Sequence, residues 1–212
     1  MIENPATICV IDDDPAVRTA VARLLQSEGY VVQRYASATE FLEARESKGF
    51  GPVCVVSDLS MPGLSGLDLQ NALAASDTEY AIVFITGHGS IPSTVEAMKK
   101  GAVDFLTKPF GDAELLRAVH DAVEKLRCIC TRLNELRSTS RRLAVLTPRE
   151  REVLQHVVAG RLNKQIAADL GTVEKTIKVH RARVMEKMEV HSVAELVRLC
   201  ERANRSTSDL AN

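Results

Sequence analysis

The chain has 212 residues, of which 45% are hydrophobic and 26% are charged, a mixture typical of a globular protein with one or two domains. No apolar run approaches the ~20 residues that span a bilayer, and the first residues do not resemble a signal peptide, so no membrane partner is expected. The five cysteines are scattered and show neither a redox nor a zinc spacing. This pattern predicts a reduced, cytoplasmic protein.

The net charge of -1 conceals two halves of opposite sign. Residues 1–125 carry 10 basic and 18 acidic side chains, whereas residues 126–212 carry 17 basic and 10 acidic ones. Such an asymmetry indicates two domains with different partners. The basic half is suited to a polyanion such as DNA.

The first half alternates short apolar runs with segments of helical periodicity. Asp14-Pro15 supplies an N-cap and a first-turn proline for the first helix, Gly29 supplies its stop, and Ser37 caps the second helix. Continuous apolar runs of this length are typical of strands covered on both faces. The pattern predicts an α/β domain with a doubly wound, five-stranded parallel sheet. The predicted strands lie at 8–11, 31–35, 53–57, 81–86 and 103–107.

Residues 126–143 are polar and basic, with leucine and isoleucine at helical spacing. The spacing predicts a helical linker that continues the fifth helix of the first domain, residues 1–125. A flexible tether is the alternative that the composition leaves open.

The remaining residues, 144–212, show no strand pattern and predict a smaller, all-α domain. Thr147-Pro148-Arg149-Glu150 is a capping box for one helix, and Gly160 ends it. Asn163 is predicted to cap a short second helix that stops at Gly171, Thr172 to start a third, and Ser192 a fourth. Four helices, with a glycine-containing turn between the middle two, are typical of a helix-turn-helix.

Polar side chains occur where four of the five predicted strands end. Asp12 and Asp13 follow the first strand, Asp58 the third, while Thr86 and Lys108 end the fourth and fifth. Carboxyl ends of parallel strands meet at one edge of the sheet, where ligands bind. Clustered carboxylates repel one another, so this edge predicts a hard cation, Mg²⁺, for which Mn²⁺ could substitute. Lys108 precedes a proline, and this peptide bond is a candidate for the cis form.

Around these residues, 6–125 resembles the receiver domain of bacterial response regulators. The resemblance rests on Ile11-Asp12-Asp13-Asp14, on Asp58-Leu59-Ser60-Met61-Pro62-Gly63, on Thr86-Gly87-His88-Gly89 and on Gly101 through Phe110. It implies that Asp58 accepts a phosphoryl group from a sensor histidine kinase. It also implies that Mg²⁺ is held by Asp13, Asp58 and the Ser60 carbonyl, with Asp12 acting through water. Lys108 would pair with a phosphoryl oxygen, Thr86 would hydrogen-bond to the phosphoryl group, and Phe105 would be the rotating switch aromatic.

Residues 144–202 resemble the LuxR-type helix-turn-helix of the FixJ and NarL group. The strings are Leu146 through Leu154, Asn163-Lys164-Gln165-Ile166-Ala167 and Thr176-Ile177-Lys178-Val179-His180-Arg181. Helix 173–188 would enter the major groove, with Lys178 donating to guanine and Val179 touching a thymine methyl group. Ala182 stands where some members carry a basic residue, which leaves base preference open. The expected DNA contacts are Asn163, Lys164, Lys175, Thr176, Lys178, Val179, Arg181, Ala182, Arg183 and Lys187.

Together the two resemblances imply a transcriptional regulator whose partners are a sensor histidine kinase and double-stranded promoter DNA. A homodimer on phosphorylation is expected, and RNA polymerase is a possible contact. A phosphohydrolase would share the carboxylate site, but the chain has no insertion long enough for a substrate-covering cap. A switch that binds only proteins would leave the pattern from Asn163 to Lys187 unexplained. Catalysis is expected only in the receiver's own phosphoryl transfer and slow autodephosphorylation.

Overall fold

A computed structural model of the chain describes residues 7–48, 51–76, 78–87 and 91–209. The chain divides into two compact units, residues 1–130 and residues 131–212. None of the helices in these described ranges is both long enough and apolar enough to cross a membrane.

The first unit contains one parallel sheet of five strands. The strands are β1 (Thr7–Ile11), β2 (Val32–Tyr35), β3 (Val53–Asp58), β4 (Tyr80–Thr86) and β5 (Asp104–Thr107). Their order in the sheet is β2-β1-β3-β4-β5, so the connections run to one side of β1 first and then to the other side, starting at β3. This order confirms the predicted doubly wound α/β fold, and it places the ends of β1 and β3 side by side.

Helices connect the strands, and their starts follow from local capping. The Asp14 carboxylate accepts a hydrogen bond from the Ala16 amide at 2.8 Å, and the Ser37 hydroxyl accepts one from the Glu40 amide at 3.1 Å, as predicted. The predicted linker segment, residues 126–143, lies within the last of these helices. The helices are α1 (Pro15–Ser27), α2 (Ala38–Lys48), α3 (Gly66–Ala74), α4 (Ile91–Lys99) and α5 (Asp112–Ala144).

Alternate residues of the strands fill two cores, one on each face of the sheet. On one face Val10 and Val56 pack with Leu25 of α1 and Leu115 of α5. The opposite face packs against the other three helices, with Ile11, Val55, Phe84, Phe41, Leu69 and Ala97 buried there. A sheet covered on both faces is rigid, and this rigidity holds the strand ends in fixed positions.

Gly66 at the start of α3 lies against the end of β3 more closely than any side chain would allow. A Cβ atom added there would lie 2.6 Å from the Asp58 carbonyl oxygen and 2.9 Å from the Leu59 Cα and the Phe84 ring. The Gly66 amide also donates to the Leu59 carbonyl at 3.0 Å. The absence of a side chain therefore lets α3 pack directly on the loop that carries Asp58.

Gly66→Ala is expected to lower the free energy of unfolding by about 1–3 kcal/mol, because buried backbone must shift to admit the methyl group. Urea denaturation followed by circular dichroism measures this change. Gly51→Ala is the matched control, because its Cβ would meet nothing within 4 Å. Equal stability of the two variants would contradict the close approach.

The second unit contains the four predicted helices, α6 (Pro148–Val158), α7 (Asn163–Asp169), α8 (Glu174–Lys187) and α9 (Val193–Asp209). They enclose a separate core that includes Val153, Ile166, Ile177, Val184 and Leu196. The Thr147–Glu150 capping box is confirmed.

Two helix starts differ from the sequence-based expectation. Leu162, not Asn163, is the N-cap of α7. Gln165, a residue of the first turn of α7, caps the helix because its side-chain oxygen accepts a hydrogen bond from the Leu162 amide at 2.9 Å. The amide side chain of Asn163 has a different partner, described below. The third helix of this unit begins at Glu174, two residues later than Thr172, with Val173 as its N-cap.

Glu150 joins the start of α6 to the end of α8. Its carboxylate accepts hydrogen bonds from the Lys187 ammonium at 2.7 Å and from the Thr147 amide at 2.9 Å, and its side chain is only 3% exposed. The bond from Lys187, followed by the bond from Thr147, lowers the pKa of Glu150 from 4.5 to about 2.

Because the pKa of Glu150 is lowered on folding, the second unit loses part of its free energy of unfolding in acid. The contribution is complete above pH 4.5, the ordinary pKa, and is lost as the pH falls through the folded value of about 2. Glu150→Gln is expected to remove about 1–2 kcal/mol at neutral pH and to flatten this acid dependence. Hydrogen exchange of the α6 and α8 amides in the full chain, from pH 6 to pH 3, would measure both effects. An unchanged pH profile in the variant would contradict them.

Candidate metal centre and nucleic-acid interface

Three carboxylates meet at the carboxyl edge of the sheet. Asp12 and Asp13 follow β1, and Asp58 is the last residue of β3. One oxygen of each lies within 4.8 Å of the others. Asp12 is fully buried and Asp58 is buried, whereas Asp13 is exposed. The carboxylates meet as their positions at the strand ends predict, and the structure adds that two are buried while one faces solvent.

Lys108, which follows β5, reaches across this edge to two of the carboxylates. Its Nζ lies 2.7 Å from Asp12 Oδ2 and 2.8 Å from Asp58 Oδ2. Burial lowers the pKa of Lys108, but the hydrogen bonds and charges of both carboxylates outweigh it and raise the pKa above 10.5. The lysine therefore stays protonated. Burial also raises the pKa of Asp12, an effect that Lys108 and the Asp14 amide oppose.

Main-chain amides hold the other oxygens of the two buried carboxylates. The Asp14 amide donates to Asp12 Oδ1 at 2.9 Å, and the Ser60 amide donates to Asp58 Oδ1 at 3.0 Å. The guanidinium of Arg18 donates to the Asp12 carbonyl oxygen, a contact that the sequence pattern did not indicate. These bonds fix the orientation of each carboxylate before any ligand arrives.

The remaining predicted site residues surround this centre at different depths. Thr86 is the last residue of β4 and is buried, and its carbonyl accepts the Lys108 amide at 2.7 Å. Phe105 is half-buried in β5 and is paired in register with Phe84 of β4. Ser60 is exposed beside Asp58. The Lys108–Pro109 peptide bond is cis, as the sequence suggested. His88 and Gly89, which complete the motif that begins with Thr86, lie outside the described residues.

The arrangement can perform two kinds of chemistry. Carboxylate oxygens are the ligands that hard divalent cations prefer, and the exposed Asp13 leaves an approach open to solvent. A carboxylate such as Asp58 can also act as a nucleophile, and the ammonium of Lys108 beside it stabilises incoming negative charge. The site therefore suits a cation together with an anionic phosphoryl group.

The second unit presents a polar face of α8 to solvent. Ile177 and Val184 are buried on the inner side of this helix. The predicted reading residues Lys175, Lys178, Val179 and Ala182 are all exposed, and so is Arg183. Lys178 forms an ion pair with Glu174 one turn away at 3.2 Å, which is a surface pair of low energy. The structure thus brings the central reading residues onto one accessible face.

The other predicted DNA contacts have partners within the domain. The Arg181 guanidinium donates to Asn163 Oδ1 at 2.9 Å, which connects the starting turn of α7 to α8. Lys187 is held by Glu150, as described above. Lys164 is exposed at the start of α7, and Thr176 is half-buried on α8. Direct DNA contacts by these residues stay predictions.

The first unit has a doubly wound sheet with carboxylates and a lysine at its carboxyl edge, and the second is a helix-turn-helix unit with a basic, exposed helix. This combination is typical of proteins that regulate transcription in response to a signal. A family model for the response regulator receiver domain matches residues 8–120, and a model for bacterial regulatory proteins of the luxR family matches residues 144–200. The chain belongs to the response regulators that combine a receiver domain with a LuxR-type DNA-binding domain.

Full-length relatives support the same assignment. The transcriptional regulatory protein FixJ of Bradyrhizobium diazoefficiens is 43% identical over 196 residues, which cover 92% of this chain and 95% of that protein. The response regulator protein TodT of Pseudomonas putida strain F1 is 41% identical over 209 residues, covering 97% of this chain and 90% of the relative. A solved structure of the response regulator StyR has a TM-score of 0.85 at 42% identity and covers 94% of this chain and all of that one.

Membership sets the general function of the chain. It is a response regulator and transcriptional regulator of the FixJ type, and this family does not consist of classical enzymes. Its two domains imply a sensor kinase and DNA as partners. Receiver domains bind Mg²⁺ at an acidic pocket, and in this chain Asp12, Asp13 and Asp58 form an acidic cluster that could hold such an ion.

Proposed function

We propose that a sensor histidine kinase phosphorylates Asp58 and that this modification activates DNA binding. The observation that carries the proposal is the position of Lys108 Nζ, 2.8 Å from Asp58 Oδ2 at the end of β3. The ammonium is placed to neutralise an oxygen of a phosphoryl group on Asp58. Phosphoryl transfer depends mainly on such positioning and charge neutralisation.

The proposed transfer changes one bond for another. A carboxylate oxygen of Asp58 forms a bond to the phosphorus of the kinase's phosphohistidine. The phosphorus–nitrogen bond breaks, and the released imidazole takes up a proton from solvent. The Ser60 amide, 3.0 Å from Asp58 Oδ1, keeps the carboxylate oriented during the reaction. Slow hydrolysis of the resulting acyl phosphate by water would reset the receiver.

The donor set at this edge fits Mg²⁺, and Mn²⁺ would serve as well. Asp13, Asp58 and the Ser60 carbonyl would hold the ion, and Asp12 would act through a water molecule. A bound divalent ion supplies positive charge that neutralises the carboxylates and the phosphoryl oxygens. Lys108 supplies further positive charge at the same site through its ion pairs with Asp12 and Asp58.

The response to phosphorylation is proposed to pass through Thr86 and Phe105. Thr86 would hydrogen-bond to the new phosphoryl group, and Phe105 would repack in the space beside it. The next helix in the chain after Thr86 is α4, where Ile91 is 81% exposed and Val95 and Met98 are also exposed. An apolar surface of this kind favours association. We assign it, with β5, to the homodimer interface of the phosphorylated protein.

The dimer would place two reading helices on promoter DNA. Lys178 would donate to guanine and Val179 would contact a thymine methyl group, with Lys175, Thr176 and Ala182 completing the reading face. Asn163, Lys164, Arg181, Arg183 and Lys187 would contact phosphates. Paired helices fit half-sites about one helical turn, roughly 34–36 Å, apart.

The proposed domain limits are residues 1–125 for the receiver, 126–143 for a helical linker and 144–212 for the DNA-binding domain. The helix α5 supports the helical form of the linker. The protein would act in the cytoplasm, where its kinase and promoter DNA are accessible, and contact with RNA polymerase would follow promoter binding.

Sedimentation velocity with Mg²⁺, before and after addition of beryllofluoride, tests this account. The wild type is expected to shift from monomer to dimer, and Ile91→Ser is expected to weaken the shift. Val31→Ser is the matched control, because Val31 is a valine that is 50% exposed next to β2, at the opposite edge of the sheet. A dimer that is equally weakened by both substitutions, or by neither, would contradict the α4 interface.

A further inference from the structure

The end of the reading helix α8 has an unusual backbone conformation. Glu189, which directly follows the cap residue Met188, has φ +52°. It is the sole non-glycine residue with positive φ within the ranges that the structure describes. This left-handed region disfavours any residue with a Cβ atom, so the presence of glutamate requires an explanation.

The hydrogen bonds show that glycine is the usual solution at this position in the same chain. The amides of Glu189 and Val190 donate to the carbonyls of Glu186 and Met185 at 3.0 and 3.1 Å, the bonds of a Schellman motif. The same bonds end α1, α4, α6 and α7, and there the equivalent residues are Gly29, Gly101, Gly160 and Gly171. Only the reading helix has a side chain at this point among these five helices.

That side chain has a specific partner near the end of α5. Glu189 Oε2 lies 2.7 Å from Arg142 Nη2, and Arg142 Nη1 donates to the Met188 carbonyl at 3.0 Å. One guanidinium thus binds both the carbonyl of the cap residue Met188 and the carboxylate of the next residue, Glu189. A glycine at 189 would satisfy the backbone and lose the ion pair. Both residues belong to the second unit.

A second cation fixes the same turn of α8. Lys187 Nζ lies 3.3 Å from the Val145 carbonyl and 2.7 Å from Glu150, so the residues that follow α5 also bind this helix end. The reading residue Lys178 lies ten positions from Met188, about 15 Å along the helix axis. A rotation at the fixed end would therefore displace the whole reading face.

We infer that Arg142 and Glu189 form a clamp that positions the reading helix for sequence-specific DNA binding and ties it to the end of α5. This inference rests on the proposed DNA reading by α8 and adds two positioning residues to it. The clamp explains why glutamate occupies a position that favours glycine. It also means that a movement of the end of α5 would be transmitted directly to α8.

Glu189→Gly provides the sharpest test, because glycine adopts φ +52° without strain and the domain should fold at least as well as before. The probes are a duplex selected from a random pool by the wild-type full chain with Mg²⁺ and beryllofluoride, and a random-sequence duplex of the same length. Fluorescence anisotropy is expected to show about threefold weaker binding to the selected duplex, the scale of a partly exposed ion pair. Binding to the random duplex should not weaken, because the variant has lost a negative charge.

Arg142→Gln should lose at least as much selectivity, because it removes the bond to the Met188 carbonyl as well as the ion pair, and the double variant should lose no more than Arg142→Gln alone. Arg141→Gln is the matched control, since Arg141 is exposed and has no side-chain partner in the described part of the chain. Unchanged selectivity in Glu189→Gly, with an unchanged melting temperature, would overturn the clamp while leaving DNA reading intact. A wild type that selects no duplex would overturn the clamp and the proposed function together.

Discussion

Asp58→Ala is expected to abolish incorporation of a phosphoryl group from acetyl phosphate in the presence of Mg²⁺. Asp58 ends β3 with one oxygen beside the Lys108 ammonium and the other on the Ser60 amide. Asp12 is held in the same way, but its side chain is fully buried whereas that of Asp58 is 9% exposed, so Asp58 is the carboxylate that a phosphoryl donor can reach. Intact-mass spectrometry followed by peptide mapping measures the modification and its position.

Asp14→Asn is the matched control for this experiment. It removes a neighbouring exposed carboxylate but keeps a side chain that caps α1. This variant should be phosphorylated to nearly the wild-type level. Modification of Asp12 or Asp13 in wild-type protein would contradict the assignment of Asp58.

Lys108→Met is expected to have a large effect on stability as well as on chemistry. Removal of the ammonium takes away the cation that pairs with both buried carboxylates, Asp12 and Asp58, which is expected to lower the free energy of unfolding by about 3 kcal/mol without metal. The phosphotransfer rate is expected to fall by about 10²–10³, the effect of losing one preorganised charge-stabilising donor.

Mg²⁺ distinguishes the electrostatic origin of this effect from a loss of packing. Because a divalent ion would replace the missing positive charge, it should raise the melting temperature of Lys108→Met more than that of the wild type. Lys125→Met is a useful control, as this lysine bonds to a carbonyl oxygen away from the carboxylate cluster. Equal Mg²⁺ shifts in wild type and Lys108→Met would show that the ion does not share the site with Lys108.

The carboxylate site was largely predictable because parallel strands all end at one edge. The positions of Asp12, Asp58 and Lys108 along the chain, each directly after or at the end of an apolar run, were enough to place them together. The positions of the apolar runs also predicted the bounds of all five strands to within about one residue. At the strands and their ends, the strand propensity of the residues agrees with the hydrophobic pattern, so both can be predicted from a single sequence.

Contacts between distant side chains were not predictable in the same way. The ion pair between Arg142 and Glu189 joins residues 47 positions apart, and it depends on how the end of α5 packs beside α8. Asn163 is a favourable capping residue, but Gln165 supplies the cap and leaves the Asn163 amide to bind Arg181. Local preferences do not determine which of two side chains forms such a bond, because the packing of the whole domain determines it.

The most direct test of the account is the DNA affinity of the full chain before and after phosphorylation. Fluorescence anisotropy on a duplex selected from a random pool, with Mg²⁺ and acetyl phosphate, should show tighter binding for the wild type and no change for Asp58→Ala. An increase in affinity that persists in Asp58→Ala, or a phosphorylated wild type that binds DNA no better than the unmodified protein, would contradict activation through Asp58.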